Sequence, residues 1–540
     1  MRKAILPSDL PYSLLTRRLV HLSGTPAECF QAAEAYLQDF SPDTILWITE
    51  SKHPNAISAS KAHTVLGQEF GVIIFDAFSG FAPNAFAAVC GTLRGGGILI
   101  LLTPDLGTWP NYPDPDYKRF LPYPFVAEQM TSRFLQRLAR LVKQGLSAET
   151  ANPCTKAISQ HEVVAQMAQA LQQPCCAIVL TADRGRGKSA ALGLLADQLA
   201  QSGKKVLLTA PARATVSSVF KHATLGLSFI APDDLLQTLP VADVLLVDEA
   251  AAIPLPLLNQ MAAYYSHCVF SSTTQGYEGS GRGFVLRFQN QLAEQVPYVL
   301  HLQLQEPMRW AADDPLENWL NQALLMNVST NEALHFAELK PYYCWVERDD
   351  LIENEDLLSQ IFSLLVSAHY QTRPSDLRQL LDAPNISVHV LMQDDQVLGV
   401  ALLSREGGLD AELTAQIQAG KRRPHGHLIP QTLTFHAQIA DAACLVCERI
   451  MRIAVHQALQ QNGLGSRLLF ELEHYALEQN TDYLGVSYAL TPQVKDFWQR
   501  AGFVTAREGH RRDTASGAIS LVQIKALSAA GKALQQQLKP

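Results

Sequence analysis

The stretch CCAIVLTADRGRGKSAALGLLADQLA, residues 175–200, decides how the middle of this chain folds. Its apolar opening reads as a buried strand and AALGLLADQLA reads as a helix, with a glycine-bearing charged loop between them. Strand, glycine loop and helix start are the setting in which GKS binds phosphate. Unpaired backbone N–H groups at the helix start face the oxyanion, and the glycines let the backbone approach it closely. The phosphate loop then comprises Ala182, Asp183, Arg184, Gly185, Arg186, Gly187, Lys188, Ser189, Ala190 and Ala191. Lys188 would neutralise charge on the β- and γ-phosphates, and the Ser189 hydroxyl would hold Mg²⁺. One position departs from GxxxxGK[ST]: Ala182 stands where the first glycine is expected.

Three further segments fit a nucleotide-hydrolysing engine. DVLLVDEAAAIPLPLL (243–258) is an apolar strand ending in Asp248-Glu249. There Asp248 can hold Mg²⁺ and Glu249 can polarise the attacking water. The alternative is a carboxylate pair capping a helix that begins at Ala250–Ala252. VFSSTTQGYEGSGRGF (269–284) places a Ser/Thr/Gln/Gly loop after a strand, suited to sensing a γ-phosphate, with Arg282 and Arg287 as candidate cations. In LQEPMRWAADDPLENWL (304–320), Arg309 follows a strand and could act as a finger on developing phosphate charge. An ordinary surface ion pair is the alternative for each arginine. Gln160, in ISQHEVVAQM, lies where helicase-like ATPases read the adenine edge, although glutamine is also common on helix surfaces.

Residues 1–145 alternate short apolar strands (Thr44–Ile48, Val72–Phe75, Ile98–Leu102) with helical patterns, which predicts an α/β domain on a parallel sheet. Asp76 and the Gly95–Gly97 turn could bind a ligand or form a structural turn; no GxGxxG is present. A polar linker follows. The second α/β region, 158–335, has strands at Ala177–Thr181, Val206–Thr209, Val244–Val247, Val269–Ser272 and Val299–Leu304.

The third region, 353–530, begins with a helix over Asp356–His369 and a hairpin, Ser387–Met392 and Val397–Leu403, around Asp394-Asp395. Its informative segment is RIMRIAVHQALQQNGLGSRLLFELEHYAL, residues 449–477. A strand (Ile450–Val455) leads through Gln460, Gln461, Asn462, Gly463, Leu464, Gly465 and Ser466 into an amphipathic helix. This resembles the Q/R-x-x-G-x-G/A signature of GCN5-related N-acetyltransferases. A pyrophosphate can sit on that helix N-terminus, while backbone groups of Ile453, Ala454 and Val455 bond pantetheine and the acetyl carbonyl. The alternative is an ordinary glycine-bearing turn. YLGVSYALTPQVKDFWQRAGFV (483–504) continues as strand, helix with Phe497 and Trp498, and strand, as that fold closes.

Composition bounds the function. Of 540 residues, 47% are hydrophobic and 17% charged, which argues against a disordered chain. The net charge of −8 excludes a uniformly basic nucleic-acid binder but not local basic patches. No apolar run reaches the roughly 18 residues of a membrane helix, and the start lacks the apolar core of a signal peptide. The nine cysteines are scattered, with Cys444 and Cys447 forming a lone CxxC. Buried thiols in a reducing cytoplasm are expected.

VDEAAAIPLPLL, STTQGYEGSGRGF, EPMRWA and RIAVH, in this order, closely resemble the bacterial tRNA(Met) cytidine acetyltransferase family over nearly the whole chain. The resemblance implies a multidomain α/β protein: an N-terminal Rossmann-like α/β domain, a P-loop (RecA/helicase-like) ATPase domain and a GCN5-related N-acetyltransferase domain. It implies acetyl transfer from acetyl-CoA to the wobble cytidine of elongator tRNA(Met), with ATP or GTP hydrolysis and Mg²⁺ remodelling the RNA so that the base can leave its stack. ATP contacts would be Gln160, Ala182–Ala191 and Arg309. Acetyl-CoA contacts would be Ile453–Val455, Gln460–Ser466 and Arg500. Gln493 stands where the family has a carboxylate, keeping a hydrogen-bonding group without the charge. Candidate bases for the cytidine amine are His456, His427 and His436. Lys421-Arg422-Arg423 with His425, and Arg507 with Arg511-Arg512, are candidate RNA contacts or plain solvated surface. No stable protein partner is expected. The chain closes at GKALQQQLKP, so a compact member without the family's further helical region is expected. Two rival readings remain: a nucleotide-regulated protein acetyltransferase, and an RNA-remodelling ATPase with a vestigial acetyl-CoA site.

Overall fold

The computed structural model describes residues 16–38, 40–146, 159–183, 185–273, 282–328, 334, 336, 338–368, 372–512 and 519–538. Side chains 282–287 and 510–512, and so those of Arg282, Arg287, Arg511 and Arg512, lie outside it, as do Arg184 and the loop 274–281. Contacts divide the chain into two compact units. One holds Met1–Trp109, Leu138–Asn327 and Tyr370–Ser375; the other holds Pro110–Arg137, Val328–His369 and Asp376–Pro540. The first two α/β regions therefore share one unit, and the stretch Pro110–Arg137 joins the third region instead of the first.

The first unit carries two sheets, parallel throughout. One runs β1-β5-β4-β2-β3, from β1 (Arg18–Ser23), β2 (Ile45–Ile48), β3 (Ala56–Ile57), β4 (Phe70–Asp76) and β5 (Leu93–Thr103). The other runs β11-β6-β10-β9-β7-β8. Its strands are β6 (Cys176–Ala182), β7 (Val206–Thr209), β8 (Leu227–Phe229), β9 (Val244–Val247), β10 (His267–Thr273) and β11 (Val299–Leu304). Strands covered on both faces read as continuous apolar runs, which is why β6 and β9 stand out in the sequence. Alternate residues of β6 feed opposite cores: Ile178 and Leu180 pack with Leu192 and Leu195, Ala177 and Val179 with Leu258 and Phe270. The helices that matter here are α1 (Gln160–Ala170), α2 (Lys188–Gln201) and α3 (Pro315–Leu324). Because all strands run one way, the carboxyl ends of β6, β9 and β10 meet at one edge, where α/β sheets bind ligands.

A buried charge pair joins the two regions of this unit. The Arg17 side chain donates Nε and Nη2 to Asp314 Oδ1 at 3.1 and 2.9 Å and Nη1 to Cys90 O at 2.9 Å. Its guanidinium lies 3.6 Å from the Trp310 ring centroid. Asp76 proves to be a turn residue: its carboxylate accepts from Thr49 Oγ1 and Ser79 Oγ, both at 2.6 Å, and from Phe78 N at 2.9 Å.

The second unit is built on one seven-stranded sheet, β12-β13-β14-β15-β16-β18-β17. The strands are β12 (Tyr342–Val346), β13 (Ile386–Gln393), β14 (Gln396–Gly407), β15 (Val446–Val455), β16 (Tyr483–Ala489), β17 (Val504–Arg512) and β18 (Ile519–Ala526). Only β15 and β16 pair in parallel. Asp394 and Asp395 turn the β13–β14 hairpin with φ of 48° and 61°, the left-handed pair a two-residue hairpin needs. On one face α4 (Leu464–Glu478) and α5 (Pro492–Arg500) cover Ile450, Leu484 and Val486. On the other, Ile429, Leu433 and Leu534 cover Cys447, Tyr483 and Ile524. Arg378, fully buried, holds Asp114 at 2.9 Å, Asp116 at 3.1 Å and Asp382 at 3.4 Å, tying the Pro110–Arg137 segment to this body.

Candidate phosphate and acyl-donor sites

The phosphate loop leaves β6 at Ala182, which is buried and pairs on both sides, with Thr273 of β10 and Leu304 of β11. A strand end fixed by two neighbours accommodates alanine in place of the expected glycine. Gly187 takes φ +79° and caps the start of α2. Gln160 donates Nε2 to the Gly187 carbonyl at 2.7 Å, so its amide braces the loop. Met308 N donates to Gly185 O at 2.8 Å, and the Trp310 indole packs against Gly185.

Four of the expected residues converge. Lys188 is buried, and its Nζ donates to Glu249 Oε1 and Thr273 Oγ1, each at 2.7 Å. Ser189 Oγ donates to Asp248 Oδ2 at 2.9 Å. Asp248 ends β9 and is fully buried; it also accepts from Ser271 Oγ and from Glu249 N. Burial first, and then the neighbouring Glu249, push its carboxyl above the ordinary range, against the pull of Lys188. A hydroxyl and a carboxylate side by side are oxygen donors of the kind Mg²⁺ takes together with phosphate and water. Glu249 itself has φ +49°, so it turns sharply out of the strand and does not cap a helix with its side chain.

The arginines behave differently. The Arg309 guanidinium reaches the first sheet's region, with Nη1 3.1 Å from Gly91 O and Nε 3.3 Å from Glu69. Arg186 pairs with Glu317 of α3 at 2.9 Å, and Glu317 also accepts from Trp310 Nε1 at 2.9 Å. The structure thus brings the backbone of 308–310 to the loop while the Arg309 side chain points to another partner. Sequence reading flagged the Ser/Thr/Gln/Gly loop that Thr273 opens, without naming Ser271 or Thr273 individually. Their signal was the polar ending of an apolar strand, VFSST, beside the strand that carries Asp248.

In the second unit, β15 and β16 pair only from Cys447↔Tyr483 to Ile450↔Val486. Both strands continue, to Val455 and Ala489, but apart. The β15 edge from Arg452 to Val455 stays paired with β14 on one side, past a register shift at Leu402/Leu403 that skips Met451, and opens to a split on the other. Ile453, Ala454 and Val455 line that split, as a backbone-bonded acyl donor requires. Gln460 Nε2 donates to Val455 O at 3.2 Å and Asn462 Nδ2 to Leu459 O at 3.3 Å, shaping an exposed loop. Gln461 has φ +64° and Gly463, with φ +79°, caps α4. A side chain at Gly463 would meet nothing within 4 Å and Ser466 is exposed, so the helix start faces open space, while Leu464 between them packs into the core. Gly465 sits against Phe497 and Val455, whereas Trp498 is core.

Gln493 and Arg500, on the first and last turns of α5, are exposed; Arg500 Nε donates to Asp496 O at 3.2 Å. His456 is buried just past the strand, and its backbone N–H donates to Leu398 O at 2.9 Å. His427 is built into the fold: Nδ1 accepts from Gly407 N and Nε2 donates to Tyr123 O, both at 2.9 Å. With both ring nitrogens engaged, it has no lone pair left for a base. His436 is exposed, its imidazole held below the usual value by desolvation and by Arg507 and Arg423.

A P-loop ATPase carried in one chain with a GCN5-related acetyltransferase is the class these two sites define. Family models match accordingly: the N-terminal part of tRNA(Met) cytidine acetyltransferase TmcA over residues 14–149, the helicase domain of RNA cytidine acetyltransferase NAT10/TcmA over 179–327, and GNAT acetyltransferase 2 over 360–481. A tRNA(Met) cytidine acetyltransferase TmcA from Nitrosococcus halophilus is 40% identical, covering 97% of this chain and 77% of the relative. Those of Haloferax volcanii and Salmonella typhimurium are 34% and 37% identical, each covering 96% of this chain and 78% of the relative. The chain belongs to the tRNA(Met) cytidine acetyltransferase TmcA family.

Proposed function

We propose that this chain transfers the acetyl group of acetyl-CoA to the exocyclic amine of the wobble cytidine of elongator tRNA(Met), and hydrolyses ATP in doing so. The observation that carries this reading is the pairing, in one chain, of the Lys188–Ser189–Asp248–Glu249 cluster with the split between β15 and β16. Similarity to a tRNA(Met) cytidine acetyltransferase over 97% of this chain and 77% of the relative supports the choice of substrate.

The chemistry follows from the residues. At the ATPase site, Lys188 would hold the phosphates, Ser189 and Asp248 would hold Mg²⁺, and Glu249 would orient the attacking water. Gln160 steadies the loop from behind. At the second site, the Ile453–Val455 edge would hold acetyl-CoA through its backbone, and Gln460–Ser466 at the α4 N-terminus would hold the pyrophosphate. A backbone N–H of Ile453–Val455 polarises the thioester carbonyl. The cytidine amine attacks that carbon, the C–S bond breaks, CoA leaves as the thiol, and the amine loses one proton. His456 is the proposed acceptor of that proton and passes it to the departing CoA sulfur. Arg500 and Gln493 flank the CoA end of the cleft. No helix among the described residues is long and apolar enough to cross a membrane.

The test is incubation with tRNA, Mg-ATP and labelled acetyl-CoA, followed by nucleoside analysis. Labelled acetylcytidine is the expected product, and Lys188→Ala should abolish ATP hydrolysis. Label in protein would point to a protein acetyltransferase. Hydrolysis with no label in either would reduce the chain to an RNA-remodelling ATPase.

A further inference from the structure

The sheet face opposite α4 holds a cavity of about 550 Å³ that the reaction above does not use. Arg422, Arg423, His425, Phe435, His436 and Arg449 line it, and no carboxylate does. In a chain of net charge −8, an opening lined only by neutral and cationic groups is informative. Arg449 is already matched by Glu406. Arg422 and Arg423 are exposed, and among the described residues neither has a carboxylate partner. The Arg423 guanidinium lies 6.0 Å from the Phe435 ring centroid, so cation and aromatic face share the cavity. Phe435 is half-buried and belongs to the π-helical turn Thr432–His436, a distortion found often at functional sites. Arg507 of β17 and Arg423 both act on His436, so the positive field extends across the opening.

The volume suits a ligand the size of one nucleotide. An aromatic face beside unmatched arginines is the chemistry that holds single-stranded RNA: the base stacks and the phosphate pairs. An acidic peptide would use the arginines but leave the ring idle. The position excludes the reacting base itself. Arg449 precedes Ile453 by four residues, about 13 Å along a strand. That span matches a neighbour two or so nucleotides away.

We propose that this cavity binds one unstacked nucleotide flanking the acetylated cytidine, its base on Phe435 and its phosphate on Arg422 and Arg423. The proposal rests on the cytidine-acetylating reading above. The test uses the full chain with fluorescently labelled elongator tRNA(Met) and its isolated anticodon stem-loop, titrated over a range of KCl concentrations. Phe435→Ala should weaken stem-loop binding about tenfold or more, as loss of a stacked base does, and Phe435→Trp should restore it. R422E with R423E should weaken binding and flatten the dependence of log K on log salt by about one to two. Acetyl-CoA affinity of each variant reports whether the acetyltransferase fold survives; if the reversal disturbs it, R422Q with R423Q replaces it. Variants that bind both RNAs within twofold of wild type overturn the proposal while wild type still acetylates cytidine. So does unchanged RNA binding with lost affinity for a poly-glutamate probe, which would assign the cavity to an acidic protein segment. A wild-type chain that makes no acetylcytidine but loses stem-loop binding on Phe435→Ala would sink the parent reading alone.

Discussion

Glu448 of β15 is almost fully buried, with Arg405 Nη1 3.1 Å away. Burial outweighs that partner, and Glu406 adds to it, so the carboxyl is pushed up to about 7. The unfolded chain returns it to the ordinary range near 4.3. Between those values the folded state binds the extra proton, so stability falls as pH rises through the window. Calorimetric melting temperatures of wild type should therefore decline between about pH 4 and 7, and Glu448→Gln should flatten the decline. An identical decline in the variant would assign it to other groups. Glu448 carries no signal in the sequence, because a charged residue within an apolar run reads as surface until its neighbours are known. Lys188 and Asp248 were legible because phosphate chemistry demands those residue types at those spacings.

Two helices of unrelated function begin in the same way. Gly187 before α2 and Gly463 before α4 both take φ +79°. For any other L-residue that backbone costs about 1–2 kcal/mol. Their surroundings differ: a Cβ at 187 would stand 2.5 Å from Gln160 Nε2 and 2.9 Å from Met308 Cγ, whereas one at 463 meets nothing within 4 Å. Gly187→Ala should therefore lose clearly more stability in urea melts than Gly463→Ala, which pays only the backbone term. Equal losses would mean that Gln160 and Met308 give way freely. Both glycine loops were legible as strand-to-helix turns. That Gln160 braces one of them was not, because the amide's partner is a carbonyl 27 residues away.

At the scale of the whole molecule, the division into units departs from linear order. Pro110–Arg137 belongs with the acetyltransferase unit, held by Arg378 against Asp114, Asp116 and Asp382. Ser132 Oγ and Phe134 N also donate to Asp382. Removing the cation leaves buried carboxylates without compensation, typically a loss of about 3–5 kcal/mol. Arg378→Met should strip hydrogen-exchange protection from Pro110–Arg137 and the second unit's sheet, while peptides of α2 keep theirs. Uniform loss across both units would show that they unfold as one.

By itself the sequence determined the engines: a phosphate loop between a buried strand and a helix, an Asp-Glu strand end, and an acyl-donor loop before an amphipathic helix. These are local signals, because each is a short run whose glycines, charges and apolar flanks stand close in sequence. The tertiary structure decided what depends on distant partners. It turned the Arg309 guanidinium toward Glu69, locked His427 between Gly407 and Tyr123, supplied Ser271 and Thr273 from a neighbouring strand, and parted β15 from β16 after Ile450. A strand's sequence states that it is buried, but which strand lies beside it, and where the two separate, is settled only when the whole sheet packs.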